Sequence, residues 1–329
     1  MEFKYTLNQN VYNSDDINTM IKVLLSENFT MGDNVKKFEN DFAKKLNVNY
    51  AVMVNSGSSA NLLAMSVLIN YKRTKKINIG DEILVPAVCW STSVFPIIQM
   101  GLKPIFVDSD PITLNIDLND LEKKISDKTK GIILVHVLGN CTDMDNFMNI
   151  IIKYNLFLIE DTCESLGSIY KNKYLGTFGN FGTYSFYFSH HITTIEGGMV
   201  ICQTEEDYEL LKCLRAHGWT RQLNDKDIIS KKYPDIDSRF MFVNLGYNFR
   251  PMEIQGAMGI IQLEKLTIKN NNRLSNYQKI KTAIMSDIRN KNYLSFPETT
   301  NNAISIWFGV PLFLNKNFNL QEYLNYLTI

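Results

Sequence analysis

The sequence predicts an α/β fold with a mostly parallel central sheet and helices on both of its faces. Short apolar runs alternate along the chain with longer segments that carry apolar residues at helical spacing, the pattern of strand–helix–strand units. Several apolar runs end directly in polar residues, and ligands in such sheets bind beyond the carboxyl ends of the strands. The length of 329 residues, at roughly 150 residues per domain, suggests about two domains.

The composition favours a folded protein without a strong charge preference. Hydrophobic residues make up 45% of the chain, and 34 Lys and Arg residues balance 34 Asp and Glu residues. We therefore expect no nucleic-acid or membrane partner. No secretory signal is visible, no apolar run approaches the roughly 18 residues of a membrane helix, and the five cysteines contain no CxxC pair. These features predict a cytoplasmic protein with reduced thiols.

The first half of the chain carries the clearest elements. Uninterrupted apolar residues predict strands, and apolar residues that recur every three or four positions predict helices. In chain order these are a strand at 50–54, a helix at 58–71, a strand at 82–85, a helix at 91–100, strands at 103–107 and 131–135, a helix at 144–154 and a strand at 156–159.

The pattern weakens after residue 182. We expect a helix at 205–216, a surface loop at 224–237, a helix at 251–266 with Pro251 at its first position, and helices at 273–288 and 320–327. This divides the chain into a large domain, residues 1–268 with an N-terminal helical arm, and the start of a small C-terminal α/β domain, residues 269–329. We expect the small domain to be incomplete, because another strand should follow its last helix.

A run of small residues at 55–61 lies between the first strand and the helix that follows it. Small residues let the backbone approach a ligand closely, and the free N–H groups at a helix start attract an anion. A phosphate bound to the amides of Ser58 and Ser59 is one interpretation. A tight connection without a ligand is the other.

Trp90 and Asp161 each follow a predicted strand. The indole of Trp90 can stack on a flat ring, or it can belong to the core. The carboxylate of Asp161 can accept a charge-assisted hydrogen bond from a pyridinium N–H, or it can cap the next helix. Taken singly, each residue leaves both alternatives open.

Residues 185–198 contain a histidine pair, His190-His191. Neighbouring residues on a strand point to opposite sides, so we do not expect this pair to bind one metal ion, and we expect no metal site. Asn248 and Arg250 precede the predicted helix at 251–266. They can meet an anion, or Arg250 can pair with a surface carboxylate.

Taken together and in this order, five segments resemble the DegT/DnrJ/EryC1/StrS sugar aminotransferase family, and the resemblance extends across about residues 31–266. The segments are 55–64, 85–93, 159–167, 182–198 and 246–259. The resemblance implies the PLP-dependent transferase type I fold (aspartate aminotransferase-like), where PLP is pyridoxal 5′-phosphate, and a homodimer with shared active sites. Position by position, the implied cofactor contacts are the phosphate-binding turn Gly57, Ser58 and Ser59, the stacking Trp90, the pyridine-binding Asp161, the neighbouring Glu164, the phosphate-binding Ser185, and Asn248 donated by the partner subunit. The implied substrate contacts are His217, Arg221 and Arg250.

One residue departs from the family pattern. Family aminotransferases have a Schiff-base lysine where this chain has His190, with Glu196-Gly197-Gly198 in register. An imidazole cannot form that bond, so we expect PLP or pyridoxamine 5′-phosphate to be bound without a covalent link. The substitution resembles the dehydratase branch of the family.

That branch implies a lyase that removes the C3 hydroxyl of a nucleotide-linked 4-keto-6-deoxy sugar, such as GDP-4-keto-6-deoxy-D-mannose. L-glutamate then restores the amine form of the cofactor. His190, with an ordinary pKa of about 6.5, is the expected acid and base.

Other interpretations remain open: a sugar aminotransferase with an unusual base, a dehydratase of CDP-4-keto-6-deoxyglucose, or a truncated non-catalytic homologue. The last is considered because the resemblance implies an Arg-Pro-Ile segment near the substrate, beyond Ile329. A sister branch adds an iron–sulfur cluster whose cysteines follow the histidine motif. Because no cysteine follows Cys213, we expect no iron–sulfur cluster and no reductase partner.

Overall fold

The structure is a computed structural model that describes residues 11–315 and 319–327. The helices of this part of the chain are α1 (Ser14–Leu25), α2 (Asp33–Leu46), α3 (Gly57–Leu68), α4 (Ser91–Gln99), α5 (Leu118–Lys123), α6 (Met144–Lys153), α7 (Glu205–Arg215), α8 (Lys226–Lys232), α9 (Glu253–Ser286) and α10 (Leu320–Leu327). The strands are β1 (Tyr50–Val54), β2 (Glu82–Pro86), β3 (Lys103–Val107), β4 (Thr129–Val135), β5 (Phe157–Asp161), β6 (Ile169–Tyr170), β7 (Lys173–Tyr174), β8 (Phe181–Ser185), β9 (Gly198–Cys202), β10 (Leu294–Ser295), β11 (Ala303–Ile304) and β12 (Phe313–Leu314).

Seven strands form one mixed sheet in the order β1-β9-β8-β5-β4-β2-β3. Within this sheet β9 pairs antiparallel with its two neighbours, β1 and β8, and the four other pairs are parallel. The prediction of an α/β fold with a mostly parallel sheet is therefore confirmed. The carboxyl ends of β2, β4, β5 and β8 meet at one edge, where ligands bind in sheets of this kind.

The elements predicted in the first half of the chain are all present, with ends shifted by a few residues. The predicted helices at 205–216 and 320–327 correspond to α7 and α10. The predicted loop at 224–237 contains the short helix α8. The strands β8 and β9 on either side of the histidine pair were not predicted. β8 contains Gly, Thr and Ser instead of a continuous apolar run, whereas β9 has an apolar run, Met199 to Cys202, that was missed.

The prediction of two helices at 251–266 and 273–288 is wrong, because α9 is a single helix of 34 residues. Pro251 lies before α9, whose N-cap is Met252. The asparagines at 270–272 favour a break by intrinsic propensity, yet the buried amide of Asn270 donates to the carbonyl of Leu166 at 3.1 Å, and this contact supports the helical conformation. The predicted domain boundary at residue 268 therefore falls inside a helix.

Aromatic side chains fill the layer between α2 and the sheet. Phe42 contacts Phe38, Tyr184 and Phe186 with ring centroids 5.1–6.0 Å apart, and all three pairs have edge-to-face geometry. All four side chains are essentially buried, and such pairs add to the stabilisation that burial of their area provides. Among the described residues, no helix combines the length and the apolar character needed to cross a membrane.

The first residue of α9 joins this helix to α2. Glu253 is 2% exposed, and its carboxylate accepts hydrogen bonds from the backbone N–H groups of Gly32, Asn34 and Val35 and from the side-chain amide of Asn34, at 2.7–2.9 Å. The N–H groups at the start of α2 have no partners within that helix. Glu253 therefore acts as a cap for α2 from a distant part of the sequence.

We expect Glu253→Ala to lower the free energy of unfolding by about 3 kcal/mol, because it leaves several buried donors without a partner. Chemical denaturation of the variant and of the wild-type protein measures this change. Glu264→Ala, at an exposed position of the same helix, is the matched control and should change stability by less than about 0.5 kcal/mol. Equal effects of the two substitutions would contradict the role assigned to Glu253.

Candidate active site

A cavity of about 650 Å³ lies at the edge of the sheet where β4, β5 and β8 end. This is the position that the strand–helix alternation predicts for a ligand. The predicted site residues that line the cavity are Gly57, Ser58, Trp90, Asp161, Glu164, Ser185 and His190. These residues come from separate parts of the sequence, and the fold brings them together.

The turn before α3 forms one end of the cavity. Ser56 is the N-cap of α3, and its hydroxyl oxygen accepts the N–H of Ser59 at 3.1 Å. The amide of Ser59 is therefore used by the cap, and of the predicted serine pair Ser58 lines the cavity. At Gly57 an added Cβ would lie 2.6 Å from the Cβ of Ser185, so only glycine fits here. This close approach and the helix start suit a phosphate group.

Trp90 lies at the mouth of the cavity and is 74% exposed. This exposure excludes the alternative that Trp90 is a core residue. An exposed indole beside a cavity offers a flat apolar face to a ring.

Asp161 ends β5 and is 5% exposed. Its Oδ2 atom accepts hydrogen bonds from the amide of Asn61 at 2.8 Å and from the hydroxyl of Ser93 at 2.7 Å. Its Oδ1 atom accepts the N–H of Cys163 at 3.2 Å. Residues 162–168 form turns and no helix, so the alternative that Asp161 caps a following helix is excluded.

His190 is half-buried in the wall of the cavity. Its Nδ1 atom lies 2.7 Å from the carbonyl oxygen of Cys163. A carbonyl only accepts, so Nδ1 carries a proton and the neutral ring has its lone pair on Nε2. Burial lowers the pKa of His190, opposed by the Cys163 carbonyl and by Asp161, while Arg273 lowers it further. At neutral pH, His190 is therefore a neutral base.

His191 is more deeply buried than its neighbour His190. It is 2% exposed, and its Nε2 atom lies 3.2 Å from the carbonyl oxygen of Ile306. Burial, with a smaller contribution from Arg273, lowers the pKa of His191 to about 3. The two imidazoles make different hydrogen bonds, although both rings contact Phe308. The pair lies in a bend between β8 and β9, so the strand alternation assumed for it in the sequence does not apply. In the described ranges, no group of three or more His, Cys, Asp or Glu residues has an arrangement that could hold a metal ion.

Cys163, which no sequence motif indicated, connects the carboxylate of Asp161 to the imidazole of His190. Its N–H donates to Asp161 and its carbonyl accepts from His190, so one residue holds both side chains. The next residue, Glu164, accepts the N–H of Leu138 at 2.7 Å. Burial raises the pKa of Glu164, with a further contribution from Asp161.

Other residues at or beside the cavity were also missed. Asn61 and Ser93 contact Asp161 from α3 and α4, and Phe308 places its ring 5.1 Å from that of His190. Asn61 carries a usable signal, since it is a polar residue in a helix of otherwise small and apolar residues. Phe308 lies more than a hundred residues from the histidine pair, and no local pattern connects them.

The remaining predicted residues do not line this cavity. Asn248 is exposed, and its side-chain oxygen accepts a hydrogen bond from Arg250 at 2.9 Å, so Arg250 pairs with an amide here. His217 has a left-handed backbone, and its N–H donates to the carbonyl of Tyr247. Arg221 lies over the ring of Trp219 at 5.2 Å, in a separate cavity of about 440 Å³.

No lysine is found among the residues that line the 650 Å³ cavity in the described part of the chain. The cavity nevertheless fits a flat, phosphorylated ring compound. It has a helix start and a glycine for the phosphate, an exposed indole for the ring face, and a buried carboxylate for a ring N–H. The fold and the site together define the class of PLP-dependent enzymes with the aspartate aminotransferase fold.

Comparison with known proteins identifies the family. Residues 11–328 match the model of the DegT/DnrJ/EryC1/StrS aminotransferase family, and the chain belongs to this family. It is 42% identical over 315 residues to GDP-4-keto-6-deoxy-D-mannose 3-dehydratase of Yersinia pseudotuberculosis, covering 95% of this chain and 78% of that protein. It is 33% identical to the lipopolysaccharide biosynthesis protein RfbH of Salmonella typhimurium, covering 95% of this chain and 73% of RfbH.

Solved structures agree with this assignment. The structure of Escherichia coli GDP-4-keto-6-deoxy-D-mannose-3-dehydratase with bound hydrated PLP superposes with a TM-score of 0.91 at 40% identity, covering 99% of this chain and 83% of that one. A structure of the GDP-4-keto-6-deoxymannose-3-dehydratase with a trapped PLP-glutamate geminal diamine gives a TM-score of 0.88 at 40% identity, covering 99% of this chain and 84% of that one.

We expect the buried His191 to make the protein less stable below pH 6.5. The unfolded chain binds a proton at His191 near its ordinary pKa, whereas the folded chain binds it only near pH 3. Stability from this residue is complete above pH 6.5 and falls as the pH drops toward 3, by about 2 kcal/mol at pH 5.

Denaturation at pH 8 and at pH 5 measures this dependence. His191→Gln can still donate to the carbonyl of Ile306 but does not titrate, so its stability should change less between the two pH values. Equal losses of stability at pH 5 in the wild-type protein and in His191→Gln would refute the assignment of this pH dependence to His191.

Proposed function

We propose that this chain is a pyridoxamine 5′-phosphate-dependent lyase that removes the C3 hydroxyl of a nucleotide-linked 4-keto-6-deoxy sugar. The observation that carries this proposal is His190, a neutral imidazole with a free Nε2 atom in a cavity whose described lining contains no lysine. The relatives with about 40% identity over most of the chain are dehydratases of GDP-4-keto-6-deoxy-D-mannose. We propose this nucleotide sugar as the substrate.

The geometry of the cavity supports the proposed cofactor contacts. Gly57, Ser58 and Ser185 would hold the phosphate, Trp90 would cover the ring, and Asp161 would accept the ring N–H. Bound in this way, the cofactor supplies an amine for the sugar ketone and a ring that takes up an electron pair. Glu164 is a further candidate contact, since its carboxyl group lines the same wall.

His190 is the proton-transfer group in this proposal. The Cys163 carbonyl fixes its Nδ1 proton, so Nε2 faces the chemistry as a base and returns the proton as an acid. Its lowered pKa keeps Nε2 unprotonated at neutral pH. A lysine in this position would complete an ordinary amino transfer, and its replacement by an imidazole favours elimination of the hydroxyl.

Glutamate is the proposed amino donor. In the overall reaction, the amine form of the cofactor is oxidised to the aldehyde, the sugar loses its C3 hydroxyl and gains hydrogen, and ammonia is released. Glutamate then returns the amine. A structure of the dehydratase at 40% identity has a glutamate adduct of PLP trapped in it, which supports this role.

We propose a homodimer in which Asn248 completes the site of the partner subunit. Asn248 is exposed and does not line the cavity of its own chain. The surrounding surface is apolar, with Leu245 91% exposed and Phe242 53% exposed. Exposed apolar residues of this kind favour association. His217, Arg221 and Arg250 remain proposed substrate contacts, and none of the three lines the 650 Å³ cavity.

Incubation with glutamate, PLP and GDP-4-keto-6-deoxy-D-mannose should release ammonia and form a 3-deoxy-4-keto sugar. Mass spectrometry of the nucleotide sugar and an ammonia assay measure the two products, and omission of glutamate should limit the reaction to one turnover per bound amine. A 4-amino-4,6-dideoxy sugar as the product would overturn the proposal in favour of an aminotransferase. CDP-4-keto-6-deoxy-D-glucose is the matched alternative substrate.

His190→Gln should lower the rate of dehydration by about 10²–10⁴-fold, the usual contribution of a positioned acid or base. The cofactor should still bind, because its proposed contacts are unchanged. His191→Gln is the control, since His191 faces the core, and its rate should stay near that of the wild-type protein. Because burial lowers the pKa of His190, the wild-type dehydration rate should stay constant down to a lower pH than it would with an exposed histidine as the base.

Borohydride treatment distinguishes a cofactor bound without a covalent link from a cofactor joined to a lysine as a Schiff base. Treatment of the cofactor-loaded wild-type protein should leave no pyridoxyl group attached to the chain, whereas His190→Lys should become labelled. A labelled wild-type protein would show that another amine takes the place of the family lysine. Unchanged dehydration in His190→Gln would show that another group is the base.

A further inference from the structure

We infer that Asn61 and Ser93 are positioning residues that orient the carboxylate of Asp161 toward the cofactor ring. This inference rests on the proposed function, because the orientation matters only if Asp161 accepts a ring N–H. Both side chains are buried beside Asp161. Asn61 is 1% exposed and Ser93 is fully buried.

Both side chains donate to the same oxygen of Asp161. The amide of Asn61 lies 2.8 Å and the hydroxyl of Ser93 2.7 Å from Oδ2. Two donors fill the lone-pair positions of that oxygen. The other oxygen, Oδ1, accepts one long hydrogen bond from Cys163 at 3.2 Å and keeps capacity for a further donor. Because Asn61 and Ser93 occupy Oδ2, the oxygen that remains able to accept a hydrogen bond from the cofactor ring is Oδ1.

Thr183 fixes the orientation of the Asn61 amide. Its hydroxyl, fully buried on β8, lies 2.5 Å from the side-chain oxygen of Asn61 and 3.4 Å from the carbonyl oxygen of Glu160. Because the contact with Asn61 is the shorter one, we infer that the Thr183 hydroxyl donates its hydrogen to the side-chain oxygen of Asn61. A reversed amide would place its oxygen against the carboxylate of Asp161, where no hydrogen bond forms, so the amide has one favourable orientation.

The groups that hold the Asp161 carboxylate, directly or through Asn61, come from three neighbouring elements and from the turn after β5. Asn61 is on α3, Ser93 is on α4 and Thr183 is on β8, while Cys163 follows β5 itself. Because Cys163 also holds His190, a rotation of the Asp161 carboxylate would disturb the base as well as the ring contact. Buried and fully connected polar networks of this kind specify one geometry.

Ser93→Ala and Asn61→Leu remove the two donors with little change of volume, and Thr183→Val removes the hydroxyl that orients Asn61. The first measurement is the affinity for PLP by equilibrium dialysis, which should weaken about tenfold or more in Ser93→Ala and in Asn61→Leu. The second is the ¹⁵N chemical shift of the ring nitrogen in ¹⁵N-labelled bound PLP. It should move toward the value of the unprotonated ring.

Asn70→Leu is the matched control. Asn70 is a buried asparagine just beyond the C-terminus of the same helix, and its amide pairs with Asn244 instead of Asp161. This variant should keep the wild-type affinity and ring-nitrogen shift even if it is less stable. If Asn61→Leu does not fold, Ser93→Ala and Thr183→Val carry the test, since each removes one hydroxyl.

Wild-type affinity and wild-type ¹⁵N shift in both Ser93→Ala and Asn61→Leu would overturn the inference. An equal change in Asn70→Leu would also overturn it, because the effect would then be a general loss of packing. A wild-type protein that binds PLP but does not dehydrate the sugar would refute the proposed function alone. A wild-type protein that binds no PLP would refute both.

Discussion

The constraint on which the rest of the site depends is the burial of the Asp161 carboxylate at the end of β5. A carboxylate that is 5% exposed loses most of its hydration, and without hydrogen-bond donors this costs several kcal/mol. The donors come from Asn61 on α3, from Ser93 on α4 and from the backbone of Cys163. The N-terminal halves of both helices must therefore face the same strand end. A parallel sheet with helices above it provides this arrangement, because each helix starts where a strand has just ended.

The two adjacent histidines show how one short segment serves two purposes. His190 faces the cavity and His191 faces the core, and each ring is held by one backbone carbonyl, that of Cys163 or that of Ile306. Burial lowers the pKa of both rings, so neither carries a charge at neutral pH. For His191 the result is a buried packing residue whose resistance to protonation makes the folded protein less stable at acidic pH. For His190 the result is a neutral ring with an available Nε2 atom, which is the state that general base catalysis requires.

Much of this could be predicted from the sequence, because the signals are local. The strand–helix alternation predicted the sheet, and the position of Asp161 directly after an apolar run predicted its place at the sheet edge. The features that were missed depend on contacts between distant residues. Asn270 lowers helix propensity locally, but its hydrogen bond to Leu166 supports an uninterrupted α9. Asn61 has a partner a hundred residues away, and Phe308 reaches His190 from the far end of the described chain.

The lysine-free lining of the cavity, as far as the described residues extend, has a consequence for how the cofactor is retained. A covalently tethered coenzyme stays through dilution and dialysis, whereas one held by hydrogen bonds, stacking and a helix start exchanges with the surrounding pool. Its occupancy then follows mass action, and so does its contribution to folding, which grows by about 1.4 kcal/mol for each tenfold rise in free coenzyme above the dissociation constant. Catalytic capacity and thermal stability would therefore rise and fall together with vitamin B6 supply.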